Sequence, residues 1–209
     1  MPSGWRLGRK SSMERLRADL RRALEHQDGG PVRRALLALC APGTHAVVVY
    51  RFGHWALAQP LVLRLIVDPL YQLAYLLVRV CWGIELPRAA RIGGGLYIGH
   101  FGGIVVSRRA IVGRNCALTQ GVTLGVSGYG QARGSPVIGD DVYIGPGARV
   151  LGPVRIGNNV MIGSNAVVYR DIPDDAVVVL DPGFRIVSYR GNRRLGPRQA
   201  DRRRTASTG

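Results

Sequence analysis

The apolar residues of this 209-residue chain follow two periods, and the change falls at Gly83. Before it the spacing is helical. In residues 13–26, MERLRADLRRALEH, Leu16, Leu20 and Leu24 recur at every fourth position between charged residues, which predicts an amphipathic helix. Asp28-Gly29-Gly30-Pro31 ends it. Further helices are expected around residues 33–40, over 44–58 and over 61–82, although the β-branched run Val47–Val49 leaves the start of the third open. Residues 1–83 therefore read as an α-helical N-terminal region.

After Gly83 an aliphatic residue, often followed by glycine, returns every six positions. Ile92-Gly93 and Ile98-Gly99 open the series and Ile104 continues it. An eight-residue step leads to Val112-Gly113, then Leu118 and Leu124-Gly125. A twelve-residue interruption, Val126–Val137, follows. Ile138-Gly139, Ile144-Gly145, Val150, Ile156-Gly157, Ile162-Gly163 and Val168 then run without a slip. Four residues beyond these sites stand Leu96, Cys116, Val122, Val142, Ala148, Val154, Val160, Ala166 and Ile172. A period of six with two inward positions fits neither the helical 3.6 nor a strand's alternation. It predicts short strands joined by tight turns and stacked as a β-solenoid, each coil burying its aliphatic residues against the coils above and below.

Composition places the chain among globular proteins, with 46% hydrophobic and 20% charged residues. Three cysteines, Cys40, Cys81 and Cys116, are an odd number without CxxC spacing, so no disulfide framework is expected and a cytoplasmic setting is. The net charge of +16 sits mainly at the ends: nine basic against four acidic residues in 1–38, and eight against one in 185–209. Charge held on terminal tails, without an aromatic and basic recognition motif, predicts no nucleic-acid partner. Residues 61–83, LVLRLIVDPLYQLAYLLVRVCWG, are apolar, but Arg64, Asp68-Pro69 and Arg79 interrupt them. A spanning helix is not expected. Two readings stay open: a helix or helix pair buried on its neighbours, and a face for peripheral membrane contact.

The register over residues 85–172 matches the [LIV]-G-x4 hexapeptide repeat and resembles the left-handed parallel β-helix acyltransferases. Within them the chain is similar to serine O-acetyltransferases. Tyr50-Arg51-Phe52-Gly53-His54-Trp55 resembles that family's Y-R-x-x-H-W stretch, and the likeness continues through Ala90-Arg91-Ile92-Gly93, Ile98-Gly99-His100, Gly103-Ile104-Val105-Val106, Gln120-Gly121-Val122-Thr123-Leu124-Gly125 and Asp171-Ile172-Pro173. It covers about residues 44–187. The resemblance implies a mainly β fold, with a left-handed parallel β-helix over 84–187 behind the helical region and a basic, disordered tail over 188–209. It also implies a homotrimer with active sites in clefts between subunits, and acetyl-CoA as donor without a metal. Handedness and trimerisation come from the resemblance alone; the rule for ordinary parallel crossovers favours the other hand.

The family's catalytic histidine, in L-D-H-A-T-G, aligns with His100 of Ile98-Gly99-His100-Phe101-Gly102-Gly103, the only histidine in the repeat. An imidazole can take a hydroxyl proton at neutral pH and return it later. The family's supporting aspartate, fifteen residues earlier, is Glu85 here. Gly102 and Gly103 are candidate oxyanion donors. Cys116 reads as an inward core residue rather than a nucleophile. Two acceptor-holding family residues are replaced: the aspartate before the histidine by Gly99, and a histidine in D-R-H-P by Ser135 of Arg133-Gly134-Ser135-Pro136. Tyr129, Arg133 and Ser135 are the candidate acceptor contacts of the Val126–Val137 loop. On the donor side the resemblance assigns Gly145, Gly163, Ser164 and Arg170 to a coenzyme A groove. Arg185 follows Asp181-Pro182-Gly183-Phe184, which stands where the family has G-V-P-A.

Three function classes remain. The first is an acetyl-CoA-dependent O-acetyltransferase, its acceptor either L-serine, giving O-acetylserine for cysteine synthesis, or a sugar hydroxyl in polysaccharide biosynthesis. The second is a metal-dependent hydratase on the same solenoid, which needs about three histidines where the repeat has one. The third is a non-catalytic trimeric interaction module.

Overall fold

A computed structural model describes residues 11–128 and 133–180. Four helices come first. α1 (Ser12–Glu25) opens with a capping box: Glu14 N–H donates to Ser11 Oγ at 3.2 Å, and Ser11 N–H donates to the Glu14 carboxylate at 2.8 Å. α2 (Pro31–Cys40) and α3 (Pro42–Ala56) each place a proline in the first turn, where its missing N–H costs nothing. α4 (Leu61–Trp82) is one helix despite Pro69 within it, and it ends at Gly83, whose φ of 61° is left-handed. A buried helix or helix pair over 61–83 is not what the chain forms. α4 buries only Val67, Tyr71 and Val78, because α3 and β1 cover one side of it and, among the described residues, no other element packs on the opposite side.

The rest of the described chain is a left-handed β-helix of three faces, every neighbouring pair parallel. The first face stacks β1 (Ile84–Glu85), β4 (Ile104–Val106), β7 (Thr123–Gly125), β10 (Arg149–Leu151) and β13 (Val167–Val168). The second stacks β2 (Arg91–Ile92), β5 (Ile111–Val112), β8 (Val137–Ile138) and β11 (Arg155–Ile156). The third stacks β3 (Tyr97–Ile98), β6 (Ala117–Leu118), β9 (Tyr143–Ile144), β12 (Met161–Ile162) and β14 (Val177–Val178). The inward aliphatic sites from Ile92 to Val168 are at most 4% exposed, and their second set is buried too except half-buried Ile172. Each such isoleucine or leucine contributes roughly 1.5–3 kcal/mol by leaving water.

The longer step in the repeat lies one turn earlier than the count predicts. Val106, not Ile104, pairs with Leu124, and Ile104 pairs with Ile84. The eight residues therefore run from Ile98 to Val106, through His100. Ile104 and Val106 both point inward around exposed Val105, so a count of six from Ile98 landed on the wrong one of the two.

Between the second and third faces, one residue per coil holds a positive φ: Gly95, Asn115, Asp141, Asn159 and Asp175. Asparagine and aspartate tolerate this conformation better than other side chains. Asn115 Nδ2 donates to Asp141 at 3.1 Å and Asn159 Nδ2 to Asp175 at 2.7 Å. At the top, where Gly95 lacks a side chain, Asp19 of α1 substitutes, its Oδ1 accepting from the N–H groups of Gly95 (2.7 Å) and Leu96 (2.8 Å). Arg51 of α3 completes that clamp. Its Nε donates to Asp19 at 2.7 Å, and its other nitrogens donate to the carbonyls of Ile92 and Gly93. Burial raises the Asp19 pKa, and Arg51 and the two amides oppose that rise. Beside it, Tyr50 Oη donates to Ala90 O at 2.8 Å and accepts from Ile92 N–H. The helices are thus locked onto the first coil through buried polar contacts.

Candidate active site

The edge between the third and first faces carries one turn per coil. His100 occupies the first, Gln120 the second, Pro146 the third and Ser164 the fourth. Hydrogen bonds tie the turns into a ladder: Gly121 N–H to Gly102 O (2.8 Å), Gly147 N–H to Gln120 O (2.9 Å) and Asn165 N–H to Pro146 O (2.7 Å). Buried Thr119 Oγ1 anchors the second turn to Ile144 O at 2.8 Å.

The two extra residues of the first coil lie in the His100 turn, which stands proud of the coils below. His100 and Phe101 are exposed, and among the described residues His100 has no hydrogen-bond or ion-pair partner. The turn is held from behind by α4, as Gly102 N–H donates to Trp82 O at 2.9 Å. A Cβ on Gly83 would sit 3.2 Å from Gly103 N, so its backbone approaches as closely as the left-handed cap allows. That contact also occupies the Gly102 N–H, which removes it as an oxyanion donor; Gly103 N–H has no acceptor among the described residues. Tyr97 was not anticipated. Its ring fills the space where a Gly99 side chain would go, with Cε1 at 3.2 Å and Oη at 3.7 Å from that position. His26 stacks on its outer side with centroids 3.9 Å apart. Burial raises the Tyr97 phenol pKa, so it stays protonated and able to donate.

Gly145, Gly163 and Ser164 lie on the His100 edge, two and three coils below it. Gly145 packs without room for a side chain, since a Cβ there would lie 2.9 Å from Ile162 O and Ser164 N. Gly145 is thus buried against the coil below, while Gly163 is partly exposed and Ser164 exposed. Arg170 is exposed on the other edge of the first face. On that same edge the long loop departs, its base closed by Ser127 and Gly134 donating to one another. Ser135 Oγ lies 2.8 Å from Ser107 Oγ, and Arg133 is exposed. Tyr129 and Arg185 lie outside the described residues. One chain therefore does not bring Arg133, Ser135 or Arg170 to His100; the width of the first face separates them.

Glu85 lies on the outer side of β1, opposite Val105 of β4. Its carboxylate is 3.8 Å from Arg79 of α4, and no hydrogen bond joins it to His100. Arg79 and Glu85 face a groove of about 290 Å³ with Leu76, Val80 and Val105. Burial, with help from the Glu85 charge, pushes neighbouring Tyr75 up to about 12. Arg79 had registered in the sequence only as an interruption of an apolar run, which was the available signal. Cys116 is fully buried, and burial pushes its thiol up to about 12, so it remains protonated and inert. Among the described residues no group of three His, Cys, Asp or Glu side chains is placed to hold a metal.

A stacked three-faced helix with a histidine-bearing turn above a glycine-lined edge defines a hexapeptide-repeat transferase, and the family model for bacterial transferase hexapeptide (six repeats) matches residues 135–170. A serine acetyltransferase of Synechococcus elongatus is 43% identical over 159 residues, which is 76% of this chain and 62% of that protein. One from Mycobacterium tuberculosis is 38% identical over 168 residues, or 80% of this chain and 70% of that protein. The structure of Neisseria gonorrhoeae serine acetyltransferase in complex with serine superposes with a TM-score of 0.67 at 33% identity, covering 83% of this chain and 68% of that one. That of the Brucella abortus enzyme in complex with coenzyme A gives 0.69 at 27% identity, covering 84% and 67%. This chain belongs to the serine acetyltransferase family. It spans about three-fifths of the length of the Synechococcus relative.

Proposed function

We propose that this chain is an acetyl-CoA-dependent O-acetyltransferase with His100 as its general base and L-serine as its acceptor. The observation that carries the reading is the edge itself: an exposed imidazole, unpaired among the described residues, stands at the head of a column of turns in which Gly163 is partly exposed and Ser164 exposed, a track for an extended thioester arm. His100 removes the acceptor's hydroxyl proton as the oxygen attacks the thioester carbon. The C–S bond then breaks, and the imidazolium returns the proton to the departing sulfur, leaving an ester and free thiol. Gly103 N–H is the candidate donor to the transient oxyanion. Arg170 and Arg185 offer charge for the donor's phosphates.

Three copies around an axis are part of this proposal. A neighbouring copy would lay the edge bearing Arg133, Ser135 and the loop with Tyr129 against the edge bearing His100, completing the acceptor side. Glu85 would support His100 once released from Arg79. A cytoplasmic setting accords with a chemistry that draws on acetyl-CoA.

A second reading, a sugar hydroxyl as acceptor, has its own support. Gly99 and Ser135 remove two contacts to a small zwitterion, and Tyr97 sets an aromatic ring and a phenol against Gly99, the residue before His100. The deciding experiment measures thiol release from acetyl-CoA with L-serine beside a panel of sugars and nucleotide sugars. Serine-dependent turnover is expected, and His100→Ala should lower kcat by about 10²–10⁴-fold while coenzyme A binding persists. Turnover with a sugar alone would establish the second reading. A protein that binds no coenzyme A would be the interaction module instead.

A further inference from the structure

α4 is long and apolar enough to cross a membrane by length and composition, with a mean hydropathy of 1.7 over its 18-residue core, yet only 11% of that core is buried. Its inner side packs on α3 and β1 through Val67, Tyr71 and Val78. Its outer side is apolar from end to end. Val62, Leu65, Ile66, Leu73, Leu77 and Val80 are between 51% and 76% exposed. At 3.6 residues per turn, the apolar arc spans about 160° of the helix circumference and runs roughly 33 Å. The one acidic residue of α4, Asp68, turns to Arg88 and Arg64, so no carboxylate of the helix interrupts the arc; the polar residues Gln72 and Arg79 lie along its margin.

We propose that this face docks on the surface of an anionic lipid bilayer, with α4 lying in the plane of the interface. Two observations choose this occupant over a second copy. The arc is much broader than the narrow seam that a paired helix covers, whereas an interface accepts a whole apolar face. The chain also carries a net charge of +16, concentrated in its arginine-rich first 38 and last 25 residues. A second copy would meet that charge with its own, while anionic headgroups complement it. α4 enters only to one side, because its other side holds the helices to the solenoid.

The test is flotation of the full-length protein with vesicles of phosphatidylcholine, with and without phosphatidylglycerol, over a range of salt. The expected result is binding to the phosphatidylglycerol vesicles that falls as ionic strength rises. In the double variant Ile66→Glu, Leu73→Glu the bound fraction should drop about tenfold or more, with the circular dichroism and solution mass of the parent retained. Absence of vesicle binding, equal binding to both vesicle types, or a variant that still binds overturns the proposal. So does a variant whose solution mass falls, because the face is then a contact between copies. None of these readouts depends on acetyl transfer, so they stand apart from the fate of His100.

Discussion

The solenoid and the helices that cap it are held by different chemistry. In the solenoid, apolar side chains repeat and every coil satisfies its backbone on the next, so each residue needs only its neighbours one coil away. In the cap, Asp19, Arg51 and Tyr50 fasten α1 and α3 to the first coil through buried polar contacts and Asp68 and Trp82 tie α4 to it, while the outer face of α4 is left bare. Stability built by repetition is spread over many equivalent sites. Stability built by a buried polar clamp is concentrated, and it is lost all at once when one partner goes.

The largest expected effect therefore falls on the clamp. Arg51→Met leaves the Asp19 carboxylate buried without its cation and should cost about 3–5 kcal/mol. Calorimetry should resolve a separate, earlier transition of the cap; a single transition shifted as a whole would mean that the two regions melt as one. Adding Asp19→Leu to that variant should recover part of the loss. In mid-solenoid, Ile144→Ala should cost about 3 kcal/mol in urea unfolding without splitting the transition. Tyr50→Phe removes a donor from Ala90 O and an acceptor from Ile92 N–H, for about 2 kcal/mol, again read in the cap transition. Asn159→Ala strains a φ of 53° and should cost about 1 kcal/mol, whereas Asn159→Gly should recover the strain but not the bond to Asp175.

The smallest effect is a pH dependence. Burial opposes ionisation of Asp140, but the hydrogen bonds and charge of Arg114 prevail and hold its carboxyl below the ordinary range. A depressed carboxylate contributes stability in full above its unfolded pKa of about 3.9, and loses it as pH falls through the folded value beneath that. Asp140→Asn should lower stability by a constant amount near neutrality, where the contribution is complete, and converge on the parent as pH falls, so that the acid limb of its curve is flatter.

The same contrast explains what could be read in advance. A period of six is visible because inward side chains recur at a fixed count, and the buried aliphatic residues follow it coil after coil. The count failed only at Ile104, where two inward positions flank Val105. Nothing comparable marks the clamp, because Asp19 meets Arg51 from 32 positions away and Gly95 from 76. Tyr50 and Arg51 stood out only as part of a family likeness, and the contacts explain why those residue types are there. His100 was legible by its place in a motif. The hold of Arg79 on Glu85, the Tyr97 ring beside Gly99 and the use of the Gly102 N–H by Trp82 depend on side chains and turns meeting across elements, which no spacing records.

The left-handed corner between the second and third faces also has a clock. Asparagine side chains deamidate with age, and the product aspartate suits the same backbone conformation, as Asp141 and Asp175 show. The hydrogen bonds are less forgiving. Asn115 and Asn159 each donate to an aspartate one coil below. Deamidation would turn each donor into a second carboxylate facing the first, swapping an attraction for a repulsion with no change of shape. Old molecules should thus keep their outline while the ladder between coils weakens from within, and mass spectrometry of aged protein would date the damage one dalton at a time.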